Sequence, residues 1–443
     1  CRNKCCRKAV EMKKIILLYL YFFLVLDLLL GFLLKYLNLS FFLNPGQIVR
    51  GILLISLLIV FFFDIQNRIS PITAYLLILI CFFIIFLSVL FLRFKSPLLL
   101  FEEFSHISKI LFILFLIYYI SKHHEYFFAK LPKIIQVNFI IFSLAIIFGY
   151  FTGAGLSTYS YIEGSSKGMF YGGNPVSILS LVYFTYYLFN LRFRLKNILF
   201  VCIALFNIHI ISTKAVFVVP IIFLFYLLDR FLKERLANKA IFAFLMISIV
   251  FISYFLVVPE VVNLYENRYS KVLKRSYRVY QKRERVFEIP ITAPLEMIAY
   301  RRPMAARMQF SDMFQKPQFL FLGFGHTGQR DFWIGQNMSY HDASMDFFDV
   351  IFQYGICGGF LIFIVIFATV FNILLNLQTD RNSIIVLLLF LYSFFGGHVI
   401  SAMTSGTIFA LFIGIKHGEI ENQKRWEPEI LRKIKKKLSW LER

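Results

Sequence analysis

Apolar residues run along this chain in long blocks broken by short polar and basic punctuation. The blocks show neither the strict alternation of a half-buried strand nor the single apolar stripe of a surface helix. A helix needs about 20 apolar residues to cross the hydrocarbon of a bilayer. Candidate blocks fall at 15–34, 48–64, 71–92, 106–121, 134–151, 174–190, 197–213, 215–231, 239–258, 348–376, 383–399 and 402–416. The pattern predicts an all-α integral membrane protein with about twelve transmembrane helices. The weakest blocks, 106–121, 197–213 and 402–416, are short or tightly flanked. Runs of about ten alternating residues, the signal of a transmembrane β-barrel, are absent.

Two outer segments interrupt this rhythm. The larger, 259–347, lies between the ninth and tenth spans and predicts one large extracytoplasmic loop. The smaller, 152–173, follows the fifth span. The expected layout is a cytoplasmic tail at 1–14, spans one to nine over 15–258, the large periplasmic or extracellular loop 259–347, spans ten to twelve over 348–416, and a basic cytoplasmic tail at 417–443.

Composition agrees. Hydrophobic residues make up 59% of the chain, against roughly 45–50% for soluble proteins, which excludes a soluble enzyme. The net charge of +22 is explained by sidedness, because cytoplasmic loops collect Lys and Arg. Arg68, Lys122, Lys130, Lys133, Arg192, Arg194, Lys196, Arg230, Lys233, Arg235, Lys239 and Arg381 sit in alternate loops on the same side as both basic tails. Both termini are therefore expected in the cytoplasm. The basic residues are scattered between apolar spans, which argues against a nucleic-acid partner. The run Arg432 to Lys437 suits anionic lipid headgroups.

Motifs for nucleotide or metal chemistry are missing. The chain has no P-loop, no dinucleotide fingerprint and no HExxH, so no cofactor is expected and an ATP-driven pump is disfavoured. Cys81, Cys202 and Cys357 lie in apolar blocks and read as small hydrophobes. Cys1, Cys5 and Cys6 have no companion ligands, so no metal site is expected. Met12-Lys13-Lys14 before an apolar run looks like a natural start, and residues 1–11 are expected to be non-native.

Candidate chemistry clusters near the outer segments. Arg301, Arg302 and Arg307 lie in a stretch that turns helical past Pro303, and guanidinium groups grip phosphate with two prongs. The charge-dense run from Lys271 to Arg285 reads as an exposed basic helix. Lys214 stands between two tightly joined spans on the side the positive-inside rule disfavours, which suggests an anionic partner or snorkelling. His341 precedes the tenth span and is able to take a proton near neutral pH. Asp346 and Asp349 open that span, where carboxylates suit the helix dipole. His398 sits beside two glycines at the last outward turn. Asp27, in the first span, is an intramembrane charge without a partner apparent from sequence.

These segments resemble the O-antigen polymerase and O-antigen ligase family of bacterial envelope glycosyltransferases. Gly168 to Pro175 is similar to the family's Gly-Phe-Phe…Asn element entering a span. Ser212-Thr213-Lys214 matches the place of its basic residue between two spans. Phe321-Leu322-Gly323-Phe324-Gly325, followed by His341 and then Asp346 to Gly358, is similar to the family's end-of-loop pattern. Gly397-His398-Val399 resembles its closing element. The likeness covers most of 150–410. It departs from ligases in having Asp342 after His341 and Gly355 fourteen residues on, and looks closer to polymerase and capsule-type members.

The resemblance implies a polymerase at the outer face of the inner membrane. The substrate would be an oligosaccharide repeat on undecaprenyl diphosphate, transferred onto the end sugar of another lipid-linked repeat. His341 would be the base, with Asp346 the second choice. Lys214 and Arg301, Arg302 or Arg307 would hold the diphosphate, with Lys167, Asn174 and His398 completing the substrate-binding set. No metal or nucleotide would be needed. Membrane lipids, a chain-length regulator and a flippase are the implied partners. A ligase using the same donor, a lipid-linked oligosaccharide transporter and an assembly protein are the alternatives. A transporter would repeat its hydrophobic pattern in two halves, and the late outer loop has no counterpart in the first half.

Overall fold

A computed structural model describes residues 2–37, 45–67, 70–94, 96–158, 165–170, 172–191, 195–211, 213, 215, 218–233, 302–335, 345–376, 378, 380–395, 397, 399–400 and 402–441. All regular structure among these residues is helical. The helices are α1 (Arg2–Tyr36), α2 (Pro45–Asn67), α3 (Pro71–Phe94), α4 (Pro97–Lys122), α5 (His124–Phe151), α6 (Gly173–Phe189), α7 (Leu195–Ile211), α8 (Val219–Lys233), α9 (Arg302–Gln315), α10 (Gln318–Leu322), α11 (Gly325–Gly335), α12 (Asp346–Leu375), α13 (Arg381–Phe395) and α14 (Met403–Leu441). Prolines open α2, α3 and α4, where the missing N–H is no loss and the fixed φ suits the first helical turn.

Six of these helices contain stretches long and apolar enough to cross a bilayer: Glu11–Leu33, Gly46–Gln66, Pro71–Leu92, Pro97–Lys122, His124–Phe151 and Asp346–Leu375. They match six predicted blocks. α7 and α13 carry shorter apolar stretches, Lys196–Ile211 and Arg381–Phe394. Helices of 15–17 residues such as α6, α7, α8 and α13 reach only about 23–26 Å, short of the roughly 30 Å hydrocarbon. Six spans are therefore supported by length and composition, against the expected twelve. The block 239–258, the run Lys271 to Arg285 and most of 259–347 lie outside the described residues.

The fourth block is longer and more central than its sequence suggests. The predicted 106–121 becomes a 26-residue helix starting at Pro97. Glu102, Glu103 and Lys109 dilute its hydropathy, yet it lies at the bundle centre. α14 packs along it through a stripe of small residues at four-residue spacing, Gly406, Ala410, Gly414 and Gly418. A Cβ on Gly414 would lie 2.8 Å from the Ile120 Cβ, and one on Gly418 only 2.5 Å from the Ser121 carbonyl. Small residues let helix backbones approach in lipid, where apolar burial supplies no drive.

Polar side chains stitch the remaining crossings. Asn138 on α5 donates to the Leu20 carbonyl of α1 at 2.7 Å. Asn207 on α7 donates to Ser143 on α5 at 2.8 Å. Tyr19 on α1 meets Thr407 on α14 at 2.9 Å. The loop after α5 folds back on the bundle, with Lys35 Nζ donating to the Ala154 and Gly155 carbonyls at 2.5 and 3.0 Å.

Candidate functional site at one end of the bundle

Ionisable side chains gather where α1 ends and α2, α4, α12 and α14 begin. Asp349 in the first turn of α12 accepts the Met345 backbone N–H at 3.0 Å, capping its own helix. Its other oxygen accepts Gln329 Nε2 at 2.6 Å and Gln309 Nε2 at 3.4 Å. Gln329 in turn accepts from Gln353 at 2.5 Å. These groups are buried, so the network ties α9 and α11, from the end of the large segment, to α12.

Asp346 is 1% exposed. Its Oδ2 accepts the backbone N–H groups of Val399 and Ile400 at 2.5 and 2.9 Å. The carboxylate thus holds the turn between α13 and α14, the turn that carries His398. Gly397 in that turn has φ +66, a left-handed conformation that favours glycine.

A second acid works the same way on α4. Glu103, also 1% exposed, accepts the His326 and Thr327 N–H groups at 3.0 and 3.2 Å. It binds the N-terminus of α11, where backbone donors and the helix dipole favour a carboxylate. Beside it, Glu102 pairs with Arg330 of α11 at 2.8 Å. One turn on, His106 stacks on His326 with ring centroids 4.1 Å apart and an interplanar angle of 9°. Its Nδ1 lies 3.0 Å from the hydroxyl of the buried Tyr354.

A glycine contact docks α10 on α12. Gly355 interrupts α12 with φ +67, and a Cβ there would lie 2.2 Å from the Phe321 carbonyl. Gly323 has φ +77, and a Cβ on it would meet the Gln353 carbonyl at 2.3 Å. Both positions therefore require glycine. Phe324 N–H donates to the Phe352 carbonyl at 3.0 Å. Phe319, Phe324 and Phe352 stack at 4.3 and 4.7 Å.

Deeper in the bundle, Asp27 finds partners. Arg50 Nη2 of α2 lies 2.6 Å from Asp27 Oδ1, and Thr404 of α14 donates to Asp27 Oδ2. Sequence alone left Asp27 without explanation.

Residues 9–284 match the family model described as O-antigen ligase like membrane protein. The chain belongs to this family. No curated protein and no solved structure matches it significantly. Membership agrees with the spans in making the chain an integral membrane protein, and it suggests a membrane enzyme of O-antigen processing.

In this O-antigen ligase-like protein, the structure describes only part of the predicted site. His341, Lys214, Arg301 and His398 lie outside the described residues. Arg302 and Arg307 belong to α9, which opens at Arg302 with Pro303 next, as the sequence predicts. Lys167 is half-buried in the loop after α5, its N–H donating to the Leu156 carbonyl at 2.9 Å. Burial holds its ammonium below the ordinary lysine value. Asn174 sits half-buried in the first turn of α6. α9, α12 and the Asp346 turn share one end of the bundle.

Sequence reasoning missed Glu103, His106, Gln329, Tyr354 and the Arg50 partner of Asp27. A signal existed on α4. Glu102, Glu103, His106 and Lys109 recur at helical spacing within an apolar run, which deserves a functional hypothesis by default.

Proposed function

We propose that this family member is an O-antigen or capsular polysaccharide polymerase of the bacterial inner membrane. Both termini face the cytoplasm, and the polar end of the bundle faces outward. The donor is a growing glycan on undecaprenyl diphosphate, and the acceptor is the end-sugar hydroxyl of another carrier-linked repeat. The acceptor oxygen bonds to the donor's anomeric carbon. The bond from that carbon to the diphosphate breaks, and its electron pair leaves with the diphosphate. The acceptor proton passes to a base, for which His341 is the choice.

Lys214 with Arg301, Arg302 and Arg307 neutralises the leaving diphosphate, the kind of charge stabilisation that dominates such transfers. Lys167, Asn174 and His398 line the substrate. Asp346 is assigned to positioning, since its oxygen already receives two backbone donors. A chain-length regulator and a flippase are the proposed partners.

Family membership carries this reading, and the Asp346 clamp supports it. The clamp ties the start of α12, five residues after His341, to the turn bearing His398. Asp342 after His341 and the distance to Gly355 favour a polymerase. The ligase, named in the family description, is the second reading.

The test is to express His341→Gln in cells lacking the native gene. General-base loss costs typically 10²–10⁴-fold, so carrier-linked single repeats are expected and polymer is not. Normal polymer from His341→Gln would refute the base. Carrier-linked polymer that accumulates without transfer to the lipid A core would make the chain a ligase.

A further inference from the structure

Span ends meet around a cavity at the opposite end of the bundle from Glu103 and Asp349. Asp64 lies near the end of α2, Pro71 opens α3, Lys122 ends α4 and His124 opens α5, and all four line it. The cavity measures about 890 Å³, within the roughly 300–1,000 Å³ usual for ligand sites. Its floor is apolar, made by Ile72 of α3 and by Ile364, Val365 and Ala368 of α12. Those α12 residues stand about 27–33 Å along the helix from Asp346. The floor therefore lies at the far edge of a hydrocarbon layer about 30 Å thick, with the polar rim beyond it.

The rim carries both signs of charge and has bonding capacity to spare. Asp64 uses one oxygen twice: Oδ2 accepts the Tyr118 hydroxyl at 2.8 Å and pairs with Lys122 Nζ at 2.5 Å. Its Oδ1 has no partner among the described residues. Lys122 is 42% exposed, and its ammonium keeps donors beyond that pair. The Tyr75 hydroxyl is buried and makes no hydrogen bond among the described residues, a costly state for a polar group. Glu421 of α14 adds a second carboxylate to the lining.

An apolar floor under a charged rim suits an amphiphile. The Asp64–Lys122 pair is electrically balanced, so a zwitterion can enter it without leaving an uncompensated charge at the membrane edge. Asp64 Oδ1 takes a donor, while Lys122 and Tyr75 take acceptors. We infer that this cavity binds a phosphatidylethanolamine headgroup, its ammonium on Asp64 and its phosphate on Lys122 and Tyr75, with the acyl chains leaving over the apolar floor. A choline headgroup has no N–H for the carboxylate, and a glycerol headgroup has no cation. Under the proposed orientation the cavity serves the cytoplasmic leaflet, away from the groups assigned to glycan transfer, and its binding does not depend on that chemistry. A soluble molecule with the same head shares the chemistry, and the test separates the two sources.

The full chain, stripped of lipid in a non-ionic detergent, is titrated with phosphatidylethanolamine, phosphatidylcholine or phosphatidylglycerol, and the complexes are read by native mass spectrometry. Wild-type protein should hold phosphatidylethanolamine roughly tenfold more tightly than the other two, the usual scale for a charge-assisted contact. Tyr75→Phe should lose roughly tenfold in that affinity yet keep the wild-type thermal midpoint, because the hydroxyl has no partner in the fold to lose. Asp64→Asn should lose a similar factor. Glycerophosphoethanolamine, the same head without chains, should compete only weakly. Equal binding of the three lipids overturns the seat, and a preference for phosphatidylglycerol replaces the zwitterion with an anionic headgroup. Competition by glycerophosphoethanolamine as strong as by the lipid overturns the lipid in favour of a soluble ligand. Wild-type affinity in Tyr75→Phe overturns the seat even where Asp64→Asn fails to fold.

Discussion

Helices α3 and α4 follow one another and have nearly the same length, 24 and 26 residues, yet they use that length in opposite ways. α3 is the most hydrophobic of the candidate spans, and only 28% of its apolar window is buried. α4 is the least hydrophobic, and 61% of its window is buried. The order is the reverse of a soluble protein's. In lipid the outward face meets acyl chains, so hydropathy is highest where burial is lowest. Polar groups are tolerated only where another chain segment completes their hydrogen bonds. On α4 those segments are α11, which caps Glu103, and the tyrosine hydroxyl beside His106.

If that contrast is right, the charges bound inside the bundle should matter most. Asp27→Ala strands Arg50 without its counter-ion, and breaking such a buried pair costs about 3–5 kcal/mol. Thermal unfolding in detergent should show a large loss, partly restored in Asp27→Ala/Arg50→Met. Equal stability of Asp27→Ala and wild type would mean the pair is no internal strut.

The next effect is steric. Gly414→Leu forces a side chain into Ile120 across the α4–α14 contact, and overpacking costs typically about 1–3 kcal/mol. Ile84→Leu on α3, where the residue is 59% exposed, should stay within about 0.5 kcal/mol. Similar losses in both would erase the distinction between the two helices.

The smallest effect is at the far end of α4. Burial, reinforced by Lys13 and Lys122, holds His123 down to about 4 from its usual 6.5. The folded protein thus takes up a proton less readily than the unfolded chain. Its stability is fully present above pH 6.5 and falls as pH drops from there toward 4. After solvent screening the loss should be about 1 kcal/mol, and His123→Gln should flatten the unfolding midpoint between pH 7 and 4.5. An identical acid slope in the variant would place the sensitivity elsewhere.

The sequence was readable where the signal is local. The long apolar runs of α1, α2, α3, α5 and α12 carry their own length and composition. The apolar block over α4 starts only at 106 because Glu102 and Glu103 break the run before it. The site was half readable. The glycines at 323 and 355 were recognisable as part of a family-like pattern, but not as backbones that touch. Asp346 was visible as a carboxylate opening a helix. Its actual donors, the Val399 and Ile400 amides, lie more than fifty residues on.

What the sequence determined by itself is the solvent of each segment. Transfer into hydrocarbon is additive along a run of side chains, so membrane helices and family likeness can be read residue by residue. Which helix stands at the centre was decided only by tertiary structure. So was the pairing of Asp27 with Arg50 and the capping of α11 by Glu103. Each depends on groups distant in sequence meeting within about 3 Å. The bilayer offers no water to replace a missing partner, and so only the assembled bundle shows which intramembrane charge is satisfied, as Asp27 is by Arg50 and Thr404.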